Sequence, residues 1–378
     1  MIKLVQNTID KEDITSLISW LETEPRLTKG ELTDEFELQW SKWLGVKHSI
    51  FVNSGSSANL TIFTALKYLG RISGNVVVPA VSWATTVAPL MQLGFDVTLC
   101  ECDRDTLGLD TRHLRRICED KEISMVVLVH VLGTPCNMDE VISICKEYNI
   151  ILVEDSCESV GSTYNGTMTG AFGLASSFSF FAGHHISTME GGMVCTDDDE
   201  LYETMKSIRC HGWDRDLASD SKIALRNEYG IDDFRALYTF YWQAYNFRAT
   251  DLQAHIGLSQ MKKIDYICDK RYENLLLYDS LIENDYWKLP IKQHISSFAY
   301  PIITPKIREA VEAFRTNEIE VRPLVCGSIG RQPFWIKEHG EERLPFADIV
   351  HDFGLYVPNN HQIEADDIKK ICEVFNDV

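Results

Sequence analysis

The sequence predicts an α/β fold: a parallel sheet with helices on both faces, in a chain of 378 residues long enough to divide into two lobes. Two observations carry this. Short apolar runs (SIFVN, NVVVP, FDVTLCECD, MVVLVHVLG, IILVED) alternate with helical patterns, and repeated strand–helix units of that kind bury a parallel sheet on both sides. The composition, 45% apolar and 24% charged without a low-complexity tract, is that of a folded globular chain.

Taken in order, Asp10 is placed to cap a helix carrying Ile14, Leu17, Ile18 and Leu21 at helical spacing, with Pro25 as a stop. This reads as an N-terminal arm packed on a larger body. A turn at Gly30 opens a second helix, whose Phe36, Leu38, Trp40 and Trp43 are expected in the core. Strand SIFVN then breaks into Ser54-Gly55-Ser56-Ser57 and a helix with Leu60, Phe63, Leu66 and Leu69. Strand, small-residue turn and helix N-terminus together can cradle a phosphate, because free amides and the positive end of the helix dipole meet the anion. A plain N-cap uses the same residues, so two readings stand.

Strand NVVVP leads into AVSWATTVAPLMQLG, which sets Trp83 just past a strand end, where α/β proteins gather ligands. Its indole either stacks on a planar ring or plugs the sheet edge. Further strand and helix units follow, and IILVED ends on Asp155. That carboxylate is carried toward the ligand crevice with little water near it, and it needs a cationic or donating partner, a protonated pyridine nitrogen or a scaffold arginine. Glu158, three residues on, is placed toward the same crevice.

The net charge of -20 argues against a nucleic-acid partner. No apolar run approaches a membrane span and the N-terminus lacks the build of a signal peptide, so a cytoplasmic location is expected. Eleven irregularly spaced cysteines fit reduced thiols; the close pair Cys100 and Cys102 has no second pair or histidines to complete a zinc site, so no metal is expected.

Together NSGSSAN, VPAVSW, VEDSCES, SFSFFAGHH and MEGGMVCTDD follow the order found in the sugar aminotransferase family, the DegT/StrS group of fold type I pyridoxal-phosphate enzymes. The likeness continues through IRCHGWDRD, YNFRATDLQAHIGLSQMKKI, IEVRPLVCGS and GLYVPNNHQI. Within the group the chain most resembles the C3-dehydratases of nucleotide-linked 4-keto-6-deoxyhexoses, above all those acting on the GDP-linked mannose-derived sugar. Those carry HH where the aminotransferases carry a lysine. The resemblance implies a large lobe, residues 1–244, with a mostly parallel seven-stranded sheet, and a smaller C-terminal lobe, residues 245–378. It implies pyridoxal or pyridoxamine phosphate held noncovalently, with Gly55, Ser56 and Ser179 at the phosphate, Trp83 stacked on the pyridine, Asp155 at its nitrogen and Glu158 near its hydroxyl. Asn246 matches a residue that reaches a neighbouring subunit's cofactor phosphate, which implies a homodimer with shared active sites. His211, Arg215, Arg248, Arg322 and Arg331 are candidates for the substrate, and Arg209 joins the arginines as a candidate diphosphate clamp. A related CDP-sugar dehydratase carries a cysteine-rich insertion for an iron–sulfur cluster; the matching interval, LASDSKIALRNEYGIDDFRALYTFYWQA, contains no cysteine, so no cluster is expected.

His184 stands where the lysine would be. A lysine holds the cofactor covalently, moves protons and displaces the product amine; imidazole can do only the second. An unperturbed imidazole titrates near ~6.5, so at neutral pH it is already in part a base. With that chemistry, the resemblance implies removal of the C3 hydroxyl from a nucleotide-linked 4-keto-6-deoxyhexose by a pyridoxamine phosphate that glutamate reloads. The alternatives are a sugar aminotransferase using another base, and a non-catalytic relative that keeps the cofactor site. His185 has no assigned chemistry, and the loop VCGSIGRQPFW is expected to set the choice of nucleotide.

Overall fold

The computed structural model describes residues 1–284 and 286–378. The chain opens with α1 (Lys11–Leu21), α2 (Glu31–Leu44), β1 (His48–Val52), α3 (Gly55–Tyr68), β2 (Asn75–Pro79), α4 (Ala84–Gln92), β3 (Asp96–Cys100) and α5 (Thr111–Asp120). It continues through β4 (Ile123–Val129), α6 (Met138–Glu147), β5 (Ile151–Asp155), the hairpin β6 (Thr163–Tyr164) and β7 (Thr167–Met168), β8 (Ala175–Ser179), β9 (Gly192–Thr196) and α7 (Asp199–Arg209). After α8 (Ser219–Tyr229), α9 (Asp233–Ala236), α10 (Asp251–Met261) and α11 (Ile264–Leu281) come β10 (Ala299–Ile303), α12 (Ile307–Thr316), β11 (Arg322–Pro323), α13 (Pro333–His339), α14 (Pro345–Phe353), β12 (Gly354–Pro358) and α15 (Ala365–Asn376).

The main sheet has seven strands in the order β1-β9-β8-β5-β4-β2-β3. β9 alone opposes the rest, being antiparallel to both β1 and β8, while β8, β5, β4, β2 and β3 pair in parallel. The valine runs at 76–78 and 126–127 are wholly buried, as a strand covered on both faces requires. Because six strands point one way, the C-terminal ends of β1, β4, β5 and β8 converge with the turns after them on one edge. A second sheet, β10-β12-β11, is antiparallel and packs its core with α11, α12 and α15 through Tyr278, Phe314, Ile368 and Phe375.

The cap at Asp10 forms as a full capping box: its carboxylate accepts from Glu12 and Asp13 amides, and Asp13 accepts from the Asp10 amide in return. The arm docks differently from expectation. Its buried residue is Asp13, which pairs with Lys263 at 2.7 Å, whereas Ile14 and Ile18 are 45% and 53% exposed. The apolar stripe of α1 therefore faces outward. In α2, Phe36 and Trp40 are fully buried as expected, but Leu38 points to solvent and Trp43 sits at the rim, its indole donating to Asp265 at 2.8 Å. All eleven cysteines are free thiols, buried except for the half-buried Cys157 and Cys326. No helix among the described residues is long and apolar enough to cross a membrane.

Candidate active site

A cavity of about 340 Å³ lies at the convergent strand ends. Its floor is the turn from β1 into α3. Ser54 caps that helix by accepting from the Ser57 amide at 3.0 Å, which leaves the Gly55 and Ser56 amides in the first turn, where no intrahelical acceptor exists. Residue 55 must be glycine: a Cβ there would stand 2.7 Å from Ser179 Cβ and 2.9 Å from Cys157 Sγ. Gly192, at the start of β9, is held to glycine in the same way by the Ser54 carbonyl, 2.4 Å from where its Cβ would be. The cradle is thus pinned between β8 and β9, with the Ser56 and Ser179 hydroxyls beside free amides, an arrangement suited to phosphate.

Trp83 bounds the cavity from the β2–α4 turn, 56% exposed, so it does not plug the sheet. Asp155, at the end of β5, is 5% exposed. Its carboxylate accepts from Asn59 Nδ2 at 2.8 Å, Thr86 Oγ1 at 2.7 Å and the Cys157 amide at 3.2 Å. All three donors are neutral, and among the described residues no arginine or lysine pairs with it. A buried carboxylate held only by neutral donors retains a charge to offer a cationic ligand, and the scaffold-arginine alternative falls. The Glu158 carboxylate accepts from the Leu132 amide at 2.8 Å; burial, with a smaller push from Asp155, raises it to about 7.

His184 forms the wall opposite the cradle. Its amide donates to the Phe181 carbonyl at 2.9 Å, and its ring lies 5.2 Å from that of Phe298. Nδ1 is buried without a partner. Burial lowers the imidazole to about 4, the Arg271 guanidinium adds to the effect, and Asp155 opposes it. His184 is therefore unprotonated throughout the physiological range, more completely than an unperturbed imidazole, and is free to accept a proton although it is intrinsically a weaker base. His185 turns away: fully buried, it donates from Nε2 to the Ser296 carbonyl at 2.8 Å and anchors the loop.

Eight of the residues singled out from the sequence line this cavity: Gly55, Ser56, Trp83, Asp155, Glu158, Ser179, His184 and Arg322. Asn246, His211, Arg215 and Arg248 do not. They gather instead on an outer surface, where Arg248 donates to Asn246 at 3.0 Å and to His211 Nε2 at 3.4 Å, and Arg215 stacks on Trp213 at 3.9 Å. Arg331 is ion-paired with Asp352 at 2.7 Å. Arg209 cannot serve as a diphosphate clamp: 1% exposed, it spends its charge on Glu37 and Asp216. Sequence reasoning missed Asn59, Thr86, Phe298 and Tyr356. Asn59 lies one helical turn past Gly55, a spacing that gave the signal; Phe298, just before β10, and Tyr356, in β12, gave none. Among the described residues no cluster of three or more His, Cys, Asp or Glu side chains is arranged to hold a metal ion.

A phosphate cradle, an exposed indole and an unpaired carboxylate facing one cavity fit a phosphorylated, planar, cationic aromatic group. The profile of the DegT/DnrJ/EryC1/StrS aminotransferase family matches residues 7–376. The chain belongs to that family. Among its members, the chain is 34% identical to GDP-4-keto-6-deoxy-D-mannose 3-dehydratase of Escherichia coli O55:H7, with 98% of each chain covered. It is 33% identical to the enzyme of the same name from Yersinia pseudotuberculosis, over 99% of this chain and 97% of that one. A crystal structure of GDP-4-keto-6-deoxymannose-3-dehydratase with a trapped PLP-glutamate geminal diamine superposes with a TM-score of 0.91 at 31% identity, covering 99% of this chain and 100% of that one. The Helicobacter pylori aminotransferase PseC, involved in pseudoaminic acid biosynthesis, shares the fold at 25% identity with a TM-score of 0.88, covering 100% of this chain and 98% of that one. The family's architecture is the fold type I arrangement of a large, mostly parallel seven-stranded sheet.

Proposed function

We propose that this chain is a pyridoxamine-phosphate-dependent 3-dehydratase that removes the C3 hydroxyl of a nucleotide-linked 4-keto-6-deoxyhexose, GDP-4-keto-6-deoxymannose in the first instance. One observation carries the reading: His184 occupies the cavity wall and, among the described residues, no lysine lines the cavity. Bound there, the cofactor supplies an amine able to condense with a sugar ketone and a protonated ring able to accept electrons. The Gly55 and Ser56 amides and the Ser56 and Ser179 hydroxyls would hold its phosphate, Trp83 would stack on the ring, Asp155 would keep the ring nitrogen protonated, and Glu158 would serve the ring hydroxyl.

His184, neutral at working pH, takes a proton from the carbon bearing the amine. The imidazolium so formed returns that proton to the C3 hydroxyl, the C3–O bond breaks, and water leaves. With no lysine among the described residues lining the cavity, no amine of the chain would be placed to attack the imine carbon and displace the sugar, so elimination is not pre-empted. Two waters are then consumed, one releasing the sugar from the cofactor and one releasing its nitrogen as ammonia, to give a 3,6-dideoxy-4-ketosugar; glutamate would restore the amine and leave as 2-oxoglutarate. The decisive experiment supplies sugar nucleotide and glutamate and asks where the nitrogen goes. Ammonia released in step with a 3-deoxy-4-ketosugar supports the dehydratase; an amino group kept on the sugar favours an aminotransferase.

The chain acts as a homodimer in this reading. The exposed stripe of α1 (Ile14, Ile18) and the exposed Phe234 and Tyr238 supply apolar surface for an interface. The outward set of Asn246, His211, Arg215 and Arg248 then serves the partner's cavity, with Asn246 at the cofactor phosphate and the basic residues at the substrate, while Arg322 acts within its own.

A further inference from the structure

A buried cation is normally paired with a carboxylate. Arg271, on α11, is 2% exposed and has none among the described residues. Its guanidinium is spent on main-chain oxygens: Nη1 reaches the carbonyls of Phe298 at 2.9 Å, Ser297 at 3.3 Å and Asn359, and Nη2 reaches that of His184 at 3.5 Å. Asn359 closes the net by donating to the carbonyls of Arg271 at 3.0 Å and Ser297 at 3.1 Å. Three separate stretches meet on this one side chain: the His184 loop, the segment entering β10, and the end of β12. The segment entering β10 also sets the Phe298 ring against the imidazole and receives the His185 hydrogen bond through Ser296. Arg271 therefore fixes both the backbone beneath His184 and the ring beside it.

We propose that Arg271 is the positioning residue for His184, fastening the loop that carries the imidazole to the small-sheet segment that packs on it. The proposal rests on the reading of His184 as the base. The guanidinium also lies behind the imidazole with no counter-charge of its own, and so opposes a second positive charge there. The other groups facing His184 do not reverse this. Asp155 pulls the other way but comes after burial and Arg271 in effect; Glu158 is raised to about 7, the Cys157 thiol is pushed well up, and His185 and His361 are both lowered. His184 thus begins the cycle as a free base, and arrival of an anionic sugar nucleotide offsets the guanidinium when the imidazolium must form.

The test uses the full chain without cofactor, so its outcome is separable from that of the dehydratase reading: a chain that dehydrates no sugar would leave both readouts unchanged. Histidine is labelled with nitrogen-15, the His184 signal is assigned by its loss in His184→Asn, and proton affinity is read by NMR titration. Arg271→Gln, which keeps donors but not charge, is expected to raise the proton affinity of His184 about tenfold. Arg271→Lys, which keeps charge but not the fork, is expected to leave that affinity within about twofold. It is also expected to accelerate amide exchange at His184 and Thr188 about tenfold or more, these amides being bonded to the Phe181 and Phe180 carbonyls, with exchange in α3 unchanged. Unaltered His184 titration in folded Arg271→Gln, or unaltered loop exchange in Arg271→Lys, overturns the proposal. If Arg271→Gln does not fold, the lysine variant decides alone.

Discussion

Asp155→Asn separates the energetics of the empty site from those of the loaded one. In the folded chain the carboxylate is 5% exposed and satisfied by three neutral donors. An asparagine keeps one oxygen for Asn59 and Thr86, but turns an amide toward the Cys157 N–H. That mismatch costs about 1 kcal/mol, and removing an unpaired buried charge offsets it, so the stability of the apoprotein should change by less than about 1 kcal/mol. Binding tells a different story. Replacing a buried charge-assisted hydrogen bond to a protonated ring by a neutral one costs about 1.5–3 kcal/mol, a loss of about 10- to 150-fold in affinity for pyridoxamine phosphate. Equilibrium dialysis gives the affinity and urea unfolding the stability. If the variant binds pyridoxamine phosphate within threefold of the parent, Asp155 does not face the ring nitrogen and the orientation of the cofactor is wrong.

Three further outcomes follow from other parts of the site. Gly55→Ala drives a methyl into Ser179 and Cys157, and should cost about 1–3 kcal/mol of stability together with most of the phosphate affinity; a crystal structure with an undisturbed cradle would contradict it. Because Glu158 is raised to about 7, the folded chain holds a proton that the unfolded chain has released. The stability this contributes is present below the ordinary carboxyl range and is lost as pH rises through about 7, so Glu158→Gln, which can still accept from Leu132, should flatten the fall in apoprotein melting temperature between pH 5 and 8. If Asn246 works in the partner's cavity, mixing inactive Asp155→Asn and Asn246→Ala subunits should restore about a quarter of parental activity, since half the dimers are mixed and each holds one intact site. No recovery after verified subunit exchange would place Asn246 elsewhere.

Local chemistry in this chain was legible because it is written in short stretches. The turn at Ser54–Ser57, the strand ending on Asp155 and the histidines at 184 and 185 each declare themselves within a few residues, since strand ends and helix caps need particular residues at fixed offsets. What the sequence withheld is long-range. β9 has the same apolar pattern as its parallel neighbours, so nothing in GMVCT marks it as the reversed strand. The outward face of α1 looks like any amphipathic helix, and which side of it is covered is decided by Asp13 meeting Lys263, 250 residues away in sequence. Arg271 reads as an ordinary charged residue on a helix until the carbonyls of His184, Ser297, Phe298 and Asn359 are seen to converge on it. Asp155 itself was legible, but the neutrality of its partners, the fact that gives it a charge to offer, depends on Asn59 and Thr86 from two other helices.

The central claim, that an imidazole in the place of the lysine makes this site eliminate rather than transfer, is tested most directly by His184→Lys. The variant is loaded with cofactor, supplied with GDP-4-keto-6-deoxymannose and glutamate, and followed by release of ammonia and by borohydride trapping. Loss of dehydration by about 100-fold or more, together with a borohydride-fixed cofactor on residue 184, is the expected result. Undiminished dehydration with a lysine at 184 would contradict it.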